Sequence, residues 1–93
     1  MASTLEGLTY ADLERTLVPL GFQIQDHDDR RVFKHPSEAL LIYPIVPLDS
    51  NVRGYHYLMA KMAVDGFGIM DAGKFDLLLL RVTHTKSLAA TPS

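Results

Sequence analysis

The side chains with the widest chemical reach are concentrated in one stretch: Arg30, Arg31, Lys34 and His35 stand within RRVFKHP, and Arg53 follows in VRG. Arginine and lysine hold phosphate through charge-assisted hydrogen bonds, and imidazole exchanges protons near neutral pH. Together they suit a basic patch that could bind nucleic acid, with His35 as a candidate general acid or base. A plainer reading fits the same residues. Cations on an exposed strand form a solvated face that discourages edge-to-edge pairing, and a histidine before Pro36 can be a turn residue donating a hydrogen bond to a carbonyl.

The other candidates offer less. His27 lies among Asp26, Asp28 and Asp29, a cluster that could hold a metal weakly. No second histidine or ligand pair stands at a spacing that would converge on it, so the segment reads as a polar turn, and neither a metal nor a cofactor is expected. His56, between Tyr55 and Tyr57, is expected to be partly exposed, and His84 falls in the tail. The Gly66-Phe67-Gly68 run lacks the lysine and the strand–turn–helix setting of a phosphate loop, and no nucleophile elbow is present. Met59 and Met62, at helical spacing, read as core rather than as an adaptable binding surface.

The elements that must position these residues are legible in order. Thr9 and Asp12 form a capping pair, with Leu8 and Leu13 at the staple positions, so a helix starts near Tyr10. Tyr10, Leu13, Leu17 and Leu20 make its apolar stripe, Asp12, Glu14 and Arg15 face elsewhere, and Pro19 with Gly21 ends it. FQIQ, RRVFKH and LLIYPIV read as three strands joined by tight turns, an antiparallel meander bounded by Pro44 and Pro47. Along the second strand, Phe33 belongs in the core, which turns Arg30 and Lys34 outward and places Arg31 and His35 near the sheet's edge or the helix boundary. Ser50 or Asn51 can cap a second helix with apolar positions Tyr55, Leu58, Met59, Met62 and Ala63, which Gly66 ends. Asp71 can cap a short last helix in which Phe75, Leu78 and Leu79 close over the core.

The expected fold class is therefore α+β: helix, three-stranded antiparallel sheet, helix and short C-terminal helix, with one sheet face covered and the other open. A chain of 93 residues that is 47% apolar supports one domain, placed at residues 1–83, with 84–93 as a flexible tail. Lysine and arginine number 9 against 11 aspartates and glutamates, so only a local patch could attract a polyanion. There is no cysteine, no apolar run long enough to span a membrane and no signal-like N-terminus, which together suit a cytoplasmic protein.

The run from Leu13 to Gly68 resembles the HicA toxins, RNA-cleaving proteins of bacterial toxin–antitoxin pairs. The likeness rests on LGF closing the first helix, FKHP in the second strand, a third strand ending in YPIVP, and a glycine before the second helix. The resemblance implies a fold like a double-stranded-RNA-binding domain, a metal-independent endoribonuclease activity, and an antitoxin-like protein partner. Its pattern is broken where it matters for chemistry. Arg30 stands where the family's catalytic histidine would be, and the first strand is about a residue short. Guanidinium, with a pKa above about 12, cannot take a proton from a 2′-hydroxyl, although it can bind phosphate. Three expectations follow: an RNA-binding scaffold without the family's chemistry, using Arg30, Arg31, Lys34 and Arg53; a ribonuclease in which His35 or His27 has taken over; or an interaction module that binds an antitoxin-like protein or a second copy of itself.

Overall fold

The computed structural model describes residues 7–90, with side chains through 83. Helix α1 is Tyr10–Leu17, strands β1, β2 and β3 are Gln23–Asp26, Arg30–Lys34 and Leu40–Pro44, and helices α2 and α3 are Gly54–Gly66 and Ala72–Ala90. The α+β arrangement expected from the sequence is the one observed. No described helix is long and apolar enough to cross a membrane.

The start of α1 follows its local sequence. Thr9 Oγ1 accepts from the Asp12 backbone N–H at 3.3 Å, and Asp12 Oδ2 accepts from the Thr9 N–H at 3.1 Å. Those bonds correct one expectation. Asp12 does not face solvent but is fully buried at the helix start, where its carboxylate is used as a cap. The remaining first-turn donors, on Tyr10 and Ala11, are taken by the carbonyls of Ser50 and Leu48. Ser50 thus serves α1 through its carbonyl, Asn51 stands opposite Thr9 in an isolated bridge, and α2 starts instead at Arg53, whose side chain makes no capping bond.

A single 3-10 turn, Val18–Leu20, follows α1 and ends at Gly21 with φ +109°. An L-residue would be strained there, and a Cβ on Gly21 would lie 3.0 Å from His35 Nε2. The chain then enters an antiparallel sheet of order β1-β2-β3. Its register pairs Ile24 with Phe33 and Phe33 with Leu41 on the helix side, and Gln25 with Val32 and Val32 with Ile42 on the open side.

Leu8, Leu13, Leu17, Phe22, Phe33, Leu41, Tyr43 and Phe75 belong to one continuous core between sheet and helices. Helix α3 packs against both α1 and α2, with Phe75 and Leu79 fully buried and Leu78 only partly so. Asp71 Oδ2 caps it by accepting from the Gly73 and Lys74 N–H groups. The helix is longer than expected, because no proline or glycine interrupts the chain between Gly73 and Pro92. Residues 84–90, expected to belong to a tail, continue its backbone, and any fraying at 91–93 lies outside the described residues.

The direction of α2 is the main departure. His56, Ala60 and Val64 face the core, whereas Tyr55, Leu58, Met59 and Met62 are 57%, 50%, 40% and 64% exposed. Both sets recur at helical spacing, so periodicity alone could not say which one points inward. Ala60 and Val64 are short enough for the helix backbone to settle close to the sheet, and the long side chains are left outside.

Candidate functional site

Strand β2 separates its cations by alternation. Arg30 and Lys34 are exposed on the open face, beside Gln23, Gln25, Leu40 and Ile42. Arg31 points to the helix side. There its Nε and Nη2 donate to Asp26 at 2.6 and 2.9 Å, and its Nη1 donates to Glu14 at 2.6 Å. The bond to the guanidinium holds the Asp26 carboxyl below the usual carboxylate range, and the same bond, with Glu14, pushes Arg31 further up. A guanidinium committed to two carboxylates ties the first hairpin to α1 and has little left to offer phosphate. Of the four cations expected to bind RNA, Arg30, Lys34 and Arg53 remain exposed and outside any ion pair among the described residues. Arg30 follows directly on Asp28 and Asp29, whose charge weakens its pull on a polyanion.

His35 has a structural position. The Ser37 backbone N–H donates to its Nδ1 at 3.0 Å, which fixes the ring proton of the neutral form on Nε2. Nε2 then donates to the Leu20 carbonyl at 2.8 Å, and the ring packs on Phe22 with centroids 4.9 Å apart. Both nitrogens are used to join the exit of α1 to the β2–β3 turn. The hydrogen-bonding role weighed for His35 from the sequence is the one its surroundings provide.

His56 overturns its expectation of partial exposure: it is buried, with 3% of its surface exposed. Tyr10 Oη accepts weakly from the Arg53 N–H at 3.4 Å and shares a hydrogen bond with His56 Nδ1 at 2.6 Å. Tyr43 Oη donates to the His56 carbonyl at 3.2 Å. Burial, with Arg53 nearby, pushes the His56 pKa below its ordinary value and keeps the ring neutral. Burial also raises the Tyr43 hydroxyl. The cluster joins α1, β3 and α2 at one point, sealed under Tyr55, whose ring lies 4.2 Å from that of His56. Nothing in the spacing of His56 identified this role, because its partners come from residues 46 and 13 positions away.

His27 is the remaining described imidazole and sits exposed at the tip of the first hairpin. Among the described residues, no three histidine, aspartate or glutamate side chains converge in a way that could hold a metal ion.

Helix α2 presents an apolar surface to solvent. Tyr55, Leu58, Met59 and Met62 occupy i, i+3, i+4 and i+7 and form one stripe along the outside of α2. On its other flank, α2 is clasped to α3 by Lys61 Nζ, which donates to Asp76 at 2.9 Å, and by the Tyr57 hydroxyl, which donates to the same carboxylate. Lys61 is therefore turned away from the stripe. Comparison with protein-family models, curated proteins and solved structures returned no match.

Proposed function

We propose that this chain is a protein-interaction module on a HicA-like scaffold, one that resembles a double-stranded-RNA-binding domain, and that it acts in the cytoplasm without cleaving RNA. The observation that carries the reading is the outward stripe of Tyr55, Leu58, Met59 and Met62. Large apolar side chains gathered on one face mark a contact surface, and tyrosine and methionine are enriched at the centres of such contacts. The chemistry supports it too: His35 is held by hydrogen bonds at both nitrogens, His56 is sealed in the core, and Arg30 cannot serve as a base.

A second reading, RNA binding without cleavage, is favoured by one observation: Arg30, Lys34 and Arg53 are exposed and make no ion pair among the described residues. The two separate by salt. About three phosphate contacts would lose roughly twentyfold to fortyfold in affinity over a fourfold rise in salt, whereas apolar contacts would not weaken. The test is fluorescence anisotropy and gel cleavage with a structured RNA, free of added metal, beside Arg30→His. The expected result is neither binding nor cleavage by the natural chain. Salt-sensitive binding abolished by Arg30→Glu with Lys34→Glu would move the conclusion to RNA. Cleavage lost in His27→Ala would establish a ribonuclease.

A further inference from the structure

Resting on the reading of the outer face of α2 as an interaction surface, we infer that its occupant is a second copy of this chain. The two copies would join at the free edge of β3, extending the two sheets into one, with the two α2 helices antiparallel across the two-fold axis.

The two edges of the sheet are unlike. The β1 edge carries Gln23, Gln25 and the charge of Asp26. The β3 edge, Leu40–Pro44, carries no ionisable side chain except the buried Tyr43, and no described element pairs with its outer side. The ladder fixes which of its groups are free. His35 N–H donates to the Ala39 carbonyl and Ile45 N–H to the Asp29 carbonyl, so Leu41 and Tyr43 bond inward to β2. Leu40 and Ile42 therefore direct N–H and C=O outward. Pairing two β3 strands about Leu41 sets Leu40 against Ile42 of the second copy. All four outward N–H groups are then bonded, and Pro44, which has no donor, falls outside the ladder.

Helix α2 packs on β3 and is joined to α3 through Lys61, so its stripe is turned to the flank away from α3. A two-fold axis that makes the strands antiparallel does the same to the helices. Arg53 at the N-cap and Asp65 in the last turn are both exposed, and in that arrangement each lies opposite the other on the second copy. The stripe between them has no charge to repel its own image. On the open face Leu40 and Ile42 of one copy come to lie beside Ile42 and Leu40 of the other, and on the helix side the four stripe residues each offer on the order of 100 Å², roughly 400 Å² together. That is the apolar centre of the roughly 800 Å² per partner that a stable association needs.

The test is sedimentation velocity over about a hundredfold range of concentration. The natural chain should sediment as a dimer at the upper end, with little change on raising salt. Met62→Lys and Ile42→Lys should each weaken association at least tenfold. Asp65→Lys should weaken it about threefold to tenfold, and adding Arg53→Glu should restore it. The Leu40 and Ile42 amides should gain protection from hydrogen exchange only where the dimer forms, while Leu41 and Tyr43 are protected throughout. A natural chain that stays monomeric overturns the self-association, and so does a dimer indifferent to both lysine variants. Neither outcome touches the protein-binding reading, which fails only on the RNA measurements above.

Discussion

Helices α1 and α2 are both apolar at helical spacing, yet they use that spacing in opposite senses. In α1 the long side chains Tyr10, Leu13 and Leu17 are buried, and Glu14 and Arg15 lie on the other side. In α2 the buried positions are His56, Ala60 and Val64, and the long side chains stand in solvent. A helix that buries its small residues and exposes its large ones gives up about 25 cal/mol for each Å² of apolar surface left in water. Core packing does not account for that arrangement in α2; the partner proposed above would. The comparison teaches that the hydrophobic period locates a face, and that the volumes on the two faces decide which one the protein keeps for itself.

Truncation gives the sharpest contrast. Leu13→Ala should cost about 2–5 kcal/mol, because it opens a cavity where α1 meets the core. Leu58→Ala should cost the monomer less than about 0.5 kcal/mol. Urea unfolding of both variants at high dilution checks this, and equal losses would mean that the outer face of α2 is folded against something within the chain.

The next largest effect concerns the join between the two helices. Tyr10→Phe removes the hydroxyl that is hydrogen-bonded to His56 Nδ1 and accepts from Arg53, and should cost about 1–3 kcal/mol. A dependence on pH accompanies it. Burial lowers the folded-state pKa of His56, so above the unfolded value of about 6.5 both states are neutral and its contribution is complete. As pH falls below that value the unfolded chain takes up a proton that the folded chain refuses, and stability is lost down to the folded pKa. The urea midpoint should therefore drop as pH falls below about 6.5, and His56→Gln should flatten the drop. Asp26 and Asp76, also lowered, contribute a separate loss only as pH falls below their unfolded value of about 3.9.

Much of this organisation is legible in the chain. The capping pair Thr9 and Asp12, the breaker Gly21, the three strands and the outward turn of Arg30 and Lys34 follow from local rules, since each depends on residues within a few positions. The candidate site is less legible, because it depends on contacts across the fold. Arg31 is committed through Glu14, 17 positions away, and His56 through Tyr10, 46 positions away. Met59 and Met62 read as core because nothing local distinguishes an inward stripe from an outward one. Ala60 and Val64 carried the missing information, as the shorter pair able to lie against β3.

The smaller effects test the two helix starts. Thr9→Ala should cost about 1 kcal/mol, since it removes the acceptor of the Asp12 N–H at the head of α1. Helix α2 begins at Arg53 with no side-chain cap and with a cation at the positive end of its dipole. Arg53→Ser supplies an acceptor and removes that charge, so it should stabilise the monomer by about 0.5–1 kcal/mol. Salt separates the two contributions: the dipole part is screened and the capping part persists, so the gain should shrink at high salt without vanishing. A loss of stability instead would mean that the guanidinium holds the α2 terminus in place, and the contrast between a capped α1 and an uncapped α2 would fail. If the fold gains while self-association weakens, Arg53 is kept at a cost to the monomer for the contact it makes with Asp65 of a second copy, and the uncapped start of α2 belongs to the same design as its exposed stripe.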